Sequence, residues 1–226
     1  MKLSIVVPVY NEIKTLRALL DKVGKVKVGK EIILVDDGSS DGSRELLKEL
    51  SQEDRSLKVI FHKQNQGKGA ALRTGFKHAT GDYVIVQDAD LEYDPNDYLK
   101  LIRGLKGPNT VIYGSRFMGK YDKMTSLHYF GNRFLTIVTN LLFGVSLTDM
   151  ETCYKLIPVS LVRRINIESN RFNFEPEITA KILKAGYKIV EVPISYAGRS
   201  FSEGKKITWK DGFSALRTLV KYKFLN

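Results

Sequence analysis

Tyr83-Val84-Ile85-Val86-Gln87-Asp88-Ala89-Asp90-Leu91-Glu92 is a short apolar run that ends abruptly in carboxylates. β-Branched and aromatic residues in an unbroken run read as a strand covered on both faces, as in parallel sheets. Two aspartates one small residue apart at such a strand end can approach a single divalent cation, and Glu92 offers a third oxygen. Hard ions such as Mg²⁺ or Mn²⁺ favour oxygen ligands and commonly bridge to phosphates. Alone, the same residues also read as a solvated turn capping the next helix, ahead of Pro95.

The neighbourhood favours a site. Upstream lie further strand-like runs at 3–9, 31–35 and 57–62, each followed by a helical pattern, at 13–23, 43–50 and 68–78. A helix near 96–105 and a strand at 110–113 follow. This alternation predicts an α/β fold with a mostly parallel sheet and helices on both faces. Such sheets bind ligands outside the carboxyl ends of their strands. At those ends stand Pro8-Val9-Tyr10-Asn11-Glu12, Asp36-Asp37-Gly38-Ser39-Ser40-Asp41-Gly42 and Asn65-Gln66-Gly67-Lys68-Gly69. Each cluster alone reads as a turn, and Asp41 as a helix cap; four on one sheet edge point to a ligand site. The second half reads as helices at 126–145, 174–185 and 208–224, with one or two strands around Pro193. In the last helix Trp209, Phe213, Leu216, Val220 and Phe224 form a helical stripe.

Composition narrows the partners. The 226 residues, 43 % of them hydrophobic, suffice for one domain with a real core. Lysine plus arginine number 36 against 25 acidic residues, a net charge of +11, which suits anionic ligands or an anionic membrane surface as well as simple solubility. No nucleic-acid-binding signature accompanies the charge, so no nucleic-acid partner is expected. Cys153 is alone and the three histidines are scattered, so disulfide frameworks and thiolate zinc sites are excluded, and a cytoplasmic location is the default. The N-terminus reads as a strand rather than a signal peptide, and the longest greasy stretch, 134–145, is too short to span a bilayer. The loop at 65–69 lacks Walker spacing and a Ser or Thr after Lys68, and no dinucleotide fingerprint follows the first strand.

Taken together, these motifs resemble family 2 glycosyltransferases, and within them the polyprenol-phosphate sugar synthases of the dolichyl-phosphate mannose synthase type. The resemblance continues through Gly114-Ser115-Arg116, Thr148-Asp149-Met150-Glu151-Thr152, Phe174-Glu175 and Val192-Pro193-Ile194 with Tyr196, Arg199 and Gly204-Lys205, and so covers nearly the whole chain. It implies a GT-A fold over residues 1–226 in one catalytic domain: a nucleotide-binding half at 1–115, an acceptor half at 116–206 and a C-terminal amphipathic helix at 207–226. It implies inverting transfer of a hexose from a GDP- or UDP-sugar to polyprenyl (dolichyl or undecaprenyl) phosphate, with Mg²⁺ or Mn²⁺ as cofactor. By motif position, Pro8, Tyr10, Glu12, Val35, Asp37, Asp88 and Ala89 would hold the nucleotide. Asp88, Asp90 and Glu92 would serve the metal, and some relatives carry Gln at the last position. Arg116, Asp149 and Asp90 would carry the chemistry, Arg116 and Arg133 the acceptor phosphate. Arg199 and Lys205 would close on the donor diphosphate from a mobile loop at 200–206. Many such relatives carry transmembrane helices after this domain; here a peripheral place on the inner face of the cell membrane is expected, or a trimmed sequence.

Charge then decides between acceptors. A lipid monophosphate is largely ionised at neutral pH and needs cations to aim it rather than a base. A sugar hydroxyl needs a carboxylate base, for which Asp149 or Glu151 would serve. Two alternatives therefore stand beside the polyprenyl-phosphate reading: a family 2 transferase acting on a saccharide hydroxyl, and a catalytically silent membrane-binding scaffold of the same fold.

Overall fold

A computed structural model describes residues 1–107, 109–199 and 209–225. The first half follows the sequence pattern closely. β1 (Leu3–Val9), β2 (Lys30–Asp36), β3 (Leu57–Phe61) and β4 (Tyr83–Val86) are joined by α1 (Leu16–Lys25), α2 (Ser43–Glu53) and α3 (Lys68–His78). A 3-10 turn (Pro95–Asp97) leads into α4 (Tyr98–Arg103), then β5 (Thr110–Ser115). The core residues of β1, Leu3, Ile5, Val6, Val7 and Val9, are fully buried, as expected for a central strand sandwiched between helices. Gly75 lets α3 lie directly on β1, where a side chain would meet Val6.

The second half departs from simple alternation. β6 (Tyr121–Asp122) and α5 (Ser126–Phe143) precede β7 (Lys155–Pro158), α6 (Val159–Arg164), α7 (Phe174–Lys184), β8 (Lys188–Pro193), β9 (Tyr196–Ala197) and α8 (Trp209–Phe224). The main sheet runs β3-β2-β1-β4-β7-β5-β8. β7 is antiparallel to both its neighbours, β4 and β5, while β5 and β8 are parallel. The beginning of β7 therefore lies at the edge where the parallel strands end, which places residues 149–154 beside the strand-end clusters. β6 and β9 form a separate two-stranded ribbon. β7 and α6 have no counterpart in the sequence reading, because four strand residues headed by a lysine carry no recognisable period.

Below α5 and α8, Leu135, Leu147, Met150, Ala215 and Leu219 form a second small apolar cluster. α8 packs through Ala215, Leu219 and Tyr222, with Leu216 of the predicted stripe partly buried beside them, while Phe213, 72 % exposed, Val220 and Phe224 face outward. The side chain of Trp209 lies outside the described residues. On α5, Phe130, Phe134, Ile137 and Leu141 likewise face solvent, Leu141 at 80 %.

Candidate active site

The site grows from the end of β4. Gln87 is buried, takes a hydrogen bond from the Tyr154 hydroxyl at 2.6 Å and donates to the Asp88 carbonyl at 2.9 Å, which fixes where the chain turns. Leu91 then sits at φ 63°, a left-handed conformation that is costly for a leucine, and the Asp90 carboxylate accepts the Glu92 amide at 3.1 Å. The strained turn throws three acidic side chains in different directions. Both Asp88 oxygens lie 3.0 Å from the Lys68 ammonium at the start of α3, which also reaches Glu175 of α7 at 3.0 Å. Although burial works against it, Asp88 and Glu175 hold the Lys68 ammonium charged, well above its ordinary range. Glu92 accepts from the Tyr196 hydroxyl at 2.8 Å and from the Arg199 amide at 2.7 Å.

Asp90 and Glu12 share the Arg199 guanidinium. Glu12 is bidentate at 3.0 and 3.1 Å, and Asp90 stands at 3.2 Å. Burial, reinforced by Asp88 and Glu92 and opposed by Arg199, pushes the Asp90 carboxyl up to about 7. Glu12, Asp88, Asp90, Glu92 and Glu175 thus face Lys68 and Arg199, an acidic excess of hard oxygen donors that fits a divalent cation. The side chains of Asp88, Asp90 and Glu92 are drawn to different partners, and among the described residues no three His, Cys, Asp or Glu side chains converge as one set. Glu92 is tied to Tyr196 and the Arg199 backbone, and Asp88 to Lys68, which leaves Asp90 at the centre of the acidic crowding.

Pro8 and Val35, expected to line a nucleotide, stand directly opposite each other where β1 and β2 end, with Tyr10 half-buried beyond them and Ala89 buried. Asp37 braces a loop. Its oxygens accept the Gln66 and Gly67 amides at 3.0 and 2.7 Å, and His62 Nδ1 lies at 2.7 Å. Gly38, at φ 76°, permits this approach, since a Cβ there would stand 2.6 Å from the backbone of Gln64 and Asn65. Gly42, rather than Asp41, stands at the N-cap of α2; Asp41, one position earlier, accepts the Ser43 amide at 3.0 Å and the Ile13 amide at 3.1 Å. Lys205 and the loop 200–206 lie outside the described residues.

Beyond β5, Arg116 and Asp149 lock together. The Arg116 Nε and Nη2 donate to the two Asp149 oxygens at 2.7 Å each, and the Arg116 amide adds 2.9 Å. Asp149 is fully buried and Arg116 is 6 % exposed. With three donors on its carboxylate and no access to solvent, Asp149 orients Arg116 and is not placed to take a proton from a substrate hydroxyl. Arg133 of α5 donates to the Thr148 carbonyl at 3.2 Å. The Arg116 and Arg133 guanidinium groups stand 5.7 and 5.6 Å from the centre of one ring, Phe117, so the structure brings this predicted pair together.

Sequence reasoning missed the buried charges behind this edge. Lys155 is fully buried over the Tyr113 ring at 4.7 Å and donates to the Met150 and Thr152 carbonyls. Burial pulls its ammonium down against Glu175 and Glu151. Glu151, the other candidate base, has an Oε1 sealed from solvent without a partner, and burial with Glu175 pushes its carboxyl up to about 8 against Lys155 and Arg116. A lysine heading a four-residue strand, or a glutamate in the turn before it, gives no sequence signal of burial.

The mostly parallel α/β sheet carries polar turns at its strand ends, an acidic turn after β4 and two arginines beyond β5, and residues 4–165 match the model of glycosyl transferase family 2. The chain belongs to glycosyl transferase family 2 and is a glycosyltransferase. It is 27 % identical over 213 residues to undecaprenyl-phosphate mannosyltransferase of Micrococcus luteus, covering 91 % of this chain and 87 % of that protein. It is 29 % identical to dolichol-phosphate mannosyltransferase of Pyrococcus furiosus, covering 98 % of this chain but 63 % of the relative's length. Undecaprenyl-phosphate 4-deoxy-4-formamido-L-arabinose transferase of Edwardsiella ictaluri is 31 % identical over 89 % of this chain and 62 % of its own. In fold the chain resembles glucosyl-3-phosphoglycerate synthase from Mycobacterium tuberculosis, solved with Mg²⁺ and UDP, at TM-score 0.74, 18 % identity and full coverage of this chain against 80 % of that one. A mannosyltransferase from Pyrobaculum calidifontis, solved with GDP-Man and Mn²⁺, superposes at TM-score 0.63 with 16 % identity, covering 99 % of this chain and 70 % of that one. The architecture is therefore GT-A.

Proposed function

We propose that the enzyme transfers a hexose, with inversion, from a GDP- or UDP-sugar to the phosphate of a polyprenyl lipid. The observation that carries this reading is the arginine pair, Arg116 and Arg133, gathered on Phe117 while the nearest candidate base, Asp149, is sealed by three hydrogen bonds. That arrangement suits an acceptor that arrives already ionised, since a phosphate monoester has its second pKa near 6. The relatives named for undecaprenyl and dolichol phosphate support it. In the reaction, an acceptor phosphate oxygen forms a bond to the anomeric carbon as the bond from that carbon to the β-phosphate oxygen breaks. The nucleoside diphosphate leaves with the electron pair, and no proton need be abstracted.

In this reading Arg116 and Arg133 hold the acceptor in line, Pro8, Tyr10 and Val35 line the nucleoside side, and Asp37 keeps the 65–67 loop in place. Asp90 and Asp88 would hold Mg²⁺ or Mn²⁺, with Glu92 positioning the turn. The ion would supply neutralisation of the charge that develops on the leaving diphosphate. Arg199 would turn from Glu12 and Asp90 towards that diphosphate. The division into a nucleotide half at 1–115, an acceptor half at 116–206 and a terminal helix belongs to the same proposal.

No helix among the described residues is long and apolar enough to cross a membrane. Contact with the lipid is assigned to the outward rows on α5 and α8, beside Lys210, Arg217, Lys221 and Lys223 in the sequence, which suit an anionic surface such as the inner face of the cell membrane. The direct test is transfer of radiolabelled sugar from GDP-mannose, UDP-glucose and UDP-N-acetylglucosamine to polyprenyl phosphate, with and without Mn²⁺. A lipid-linked product from one donor is expected; none from any donor overturns the proposal.

A further inference from the structure

Both arginines of the acceptor side depend on two consecutive residues. Asp149 holds Arg116 through its side chain, and Thr148 holds Arg133 through its carbonyl at 3.2 Å. These two residues are in turn gripped by one carboxylate. Glu191 of β8 accepts the Thr148 amide on Oε2 at 2.7 Å and the Asp149 amide on Oε1 at 2.8 Å. The same loop is pinned from the other side, where Asn140 of α5 exchanges two hydrogen bonds with the Leu147 backbone, both at 2.8 Å. Thr148 also joins Ser115, at the end of β5, through their hydroxyls at 2.6 Å.

A glutamate is out of place here by ordinary strand preferences. It sits on the edge strand opposite Tyr113, between Val190 and Val192, and is only half-buried. Burial pushes its carboxyl upward, the two backbone amides pull it back, and the Asp149 charge nearby adds to the upward push. A residue chosen for packing would be apolar. A carboxylate is suited to this place because it offers two oxygens to two adjacent N–H groups, which fixes the orientation of both peptide planes.

Resting on the acceptor reading above, we infer that Glu191 is the positioning residue that sets the spacing of Arg116 and Arg133, and so the affinity of the enzyme for the acceptor's phosphate. It acts through the Thr148–Asp149 peptide, which joins the acceptor side, whereas the hydrogen bonds of Asp90 and Arg199 run to Glu12 and Glu92 and to each other. The alternative is a clamp that only stabilises the fold.

Glu191→Gln keeps the shape but offers one acceptor to two donors. Expected are amide hydrogen exchange about tenfold faster at Thr148 and Asp149, and a similar rise in KM for polyprenyl phosphate, the scale of losing one charge-assisted hydrogen bond. Calorimetric affinity for GDP or UDP with Mn²⁺ should be unchanged. Unaltered exchange overturns the inference. So does faster exchange with an unaltered acceptor KM, or equal weakening of donor and acceptor, which is the signature of a merely structural clamp. If the Gln variant does not fold, Glu191→Asp, one methylene shorter and still charged, takes the same measurements. A wild-type enzyme that makes no lipid product fails the acceptor reading, while the exchange rates still decide whether Glu191 holds the loop.

Discussion

Asp149→Asn tests the central ion pair without reference to catalysis. The carboxylate is fully buried and accepts from Arg116 at 2.7, 2.7 and 2.9 Å. An asparagine keeps the volume, removes the charge and turns an NH₂ group towards a guanidinium that can only donate. The result is an uncompensated buried cation, and breaking such a pair costs about 3–5 kcal/mol. For a chain of this size that amounts to a fall of about 10 °C in Tm. The partner variant is Arg116→Met, of comparable volume and uncharged. Because removing both charges abolishes the desolvation penalty as well as the attraction, the double variant should be more stable than Asp149→Asn alone. Urea unfolding followed by tryptophan fluorescence gives the four corners of the cycle, provided the slopes agree. A loss of less than about 1 kcal/mol in Asp149→Asn, or a double variant whose cost is the simple sum of the singles, would refute the reasoning.

Three other outcomes are expected. Asp90→Asn should abolish Mn²⁺-dependent transfer and weaken Mn²⁺ binding by calorimetry, yet leave the metal-free protein at least as stable, since burial with Asp88 and Glu92 already disfavours the charge; undiminished turnover would remove Asp90 from the metal site. Glu31 takes hydrogen bonds from Ser4, Thr80 and Lys2 that outweigh burial and hold its carboxyl at about 2 rather than 4.5, so its stabilisation is present above 4.5 and drains away as pH falls through 2. The stability gap between wild type and Glu31→Gln should therefore narrow steadily over that window, and a gap independent of pH would contradict the assignment. Phe134→Asp with Leu141→Asp should eliminate cosedimentation with anionic vesicles at unchanged Tm, because both side chains are exposed; undiminished sedimentation would place the lipid contact elsewhere.

What could be read from the chain depended on range. The first four strands and three helices were legible because their apolar residues follow a local pattern, contiguous in strands such as β1 and at helical spacing in α1 and α2, and Leu3–Val9 and Lys68–His78 fall where the pattern places them. The β4 turn was legible as acidic, but not the divergence of its three side chains, which follows from the left-handed Leu91 and from partners as distant as Lys68 and Arg199. Arg116 and Asp149 were each singled out, yet their closed fork spans 33 positions, and no local periodicity reports it. Lys155 and Glu191 escaped because a charged residue in a short strand normally signals solvent, and only the surrounding backbone donors and acceptors show otherwise. The α8 stripe illustrates the converse: apolar spacing identifies a face, and the packing through Ala215, Leu219 and Tyr222, with Leu216 partly buried, shows that the buried face is turned from it.

The reversed strand β7 has a consequence for how such enzymes can be rebuilt. The chain leaves the sheet at the end of β5 and re-enters it at the same edge, with the Gly114 amide bound to the Tyr154 carbonyl at 2.8 Å and Tyr113 beside Lys155. Residues 116–154 are therefore an excursion with a stapled neck, leaving and re-entering the sheet on adjacent antiparallel strands. Such a module should be exchangeable between relatives as a cassette, with strands β1, β2 and β4 keeping their register. Such a graft must also respect its tethers outside its own span: the pairing of β6 with β9, the Tyr154 hydroxyl on Gln87, the Cys153 amide on the Tyr93 hydroxyl, the packing of α5 against α8, and Glu191, whose carboxylate has to meet two amides on whatever loop arrives.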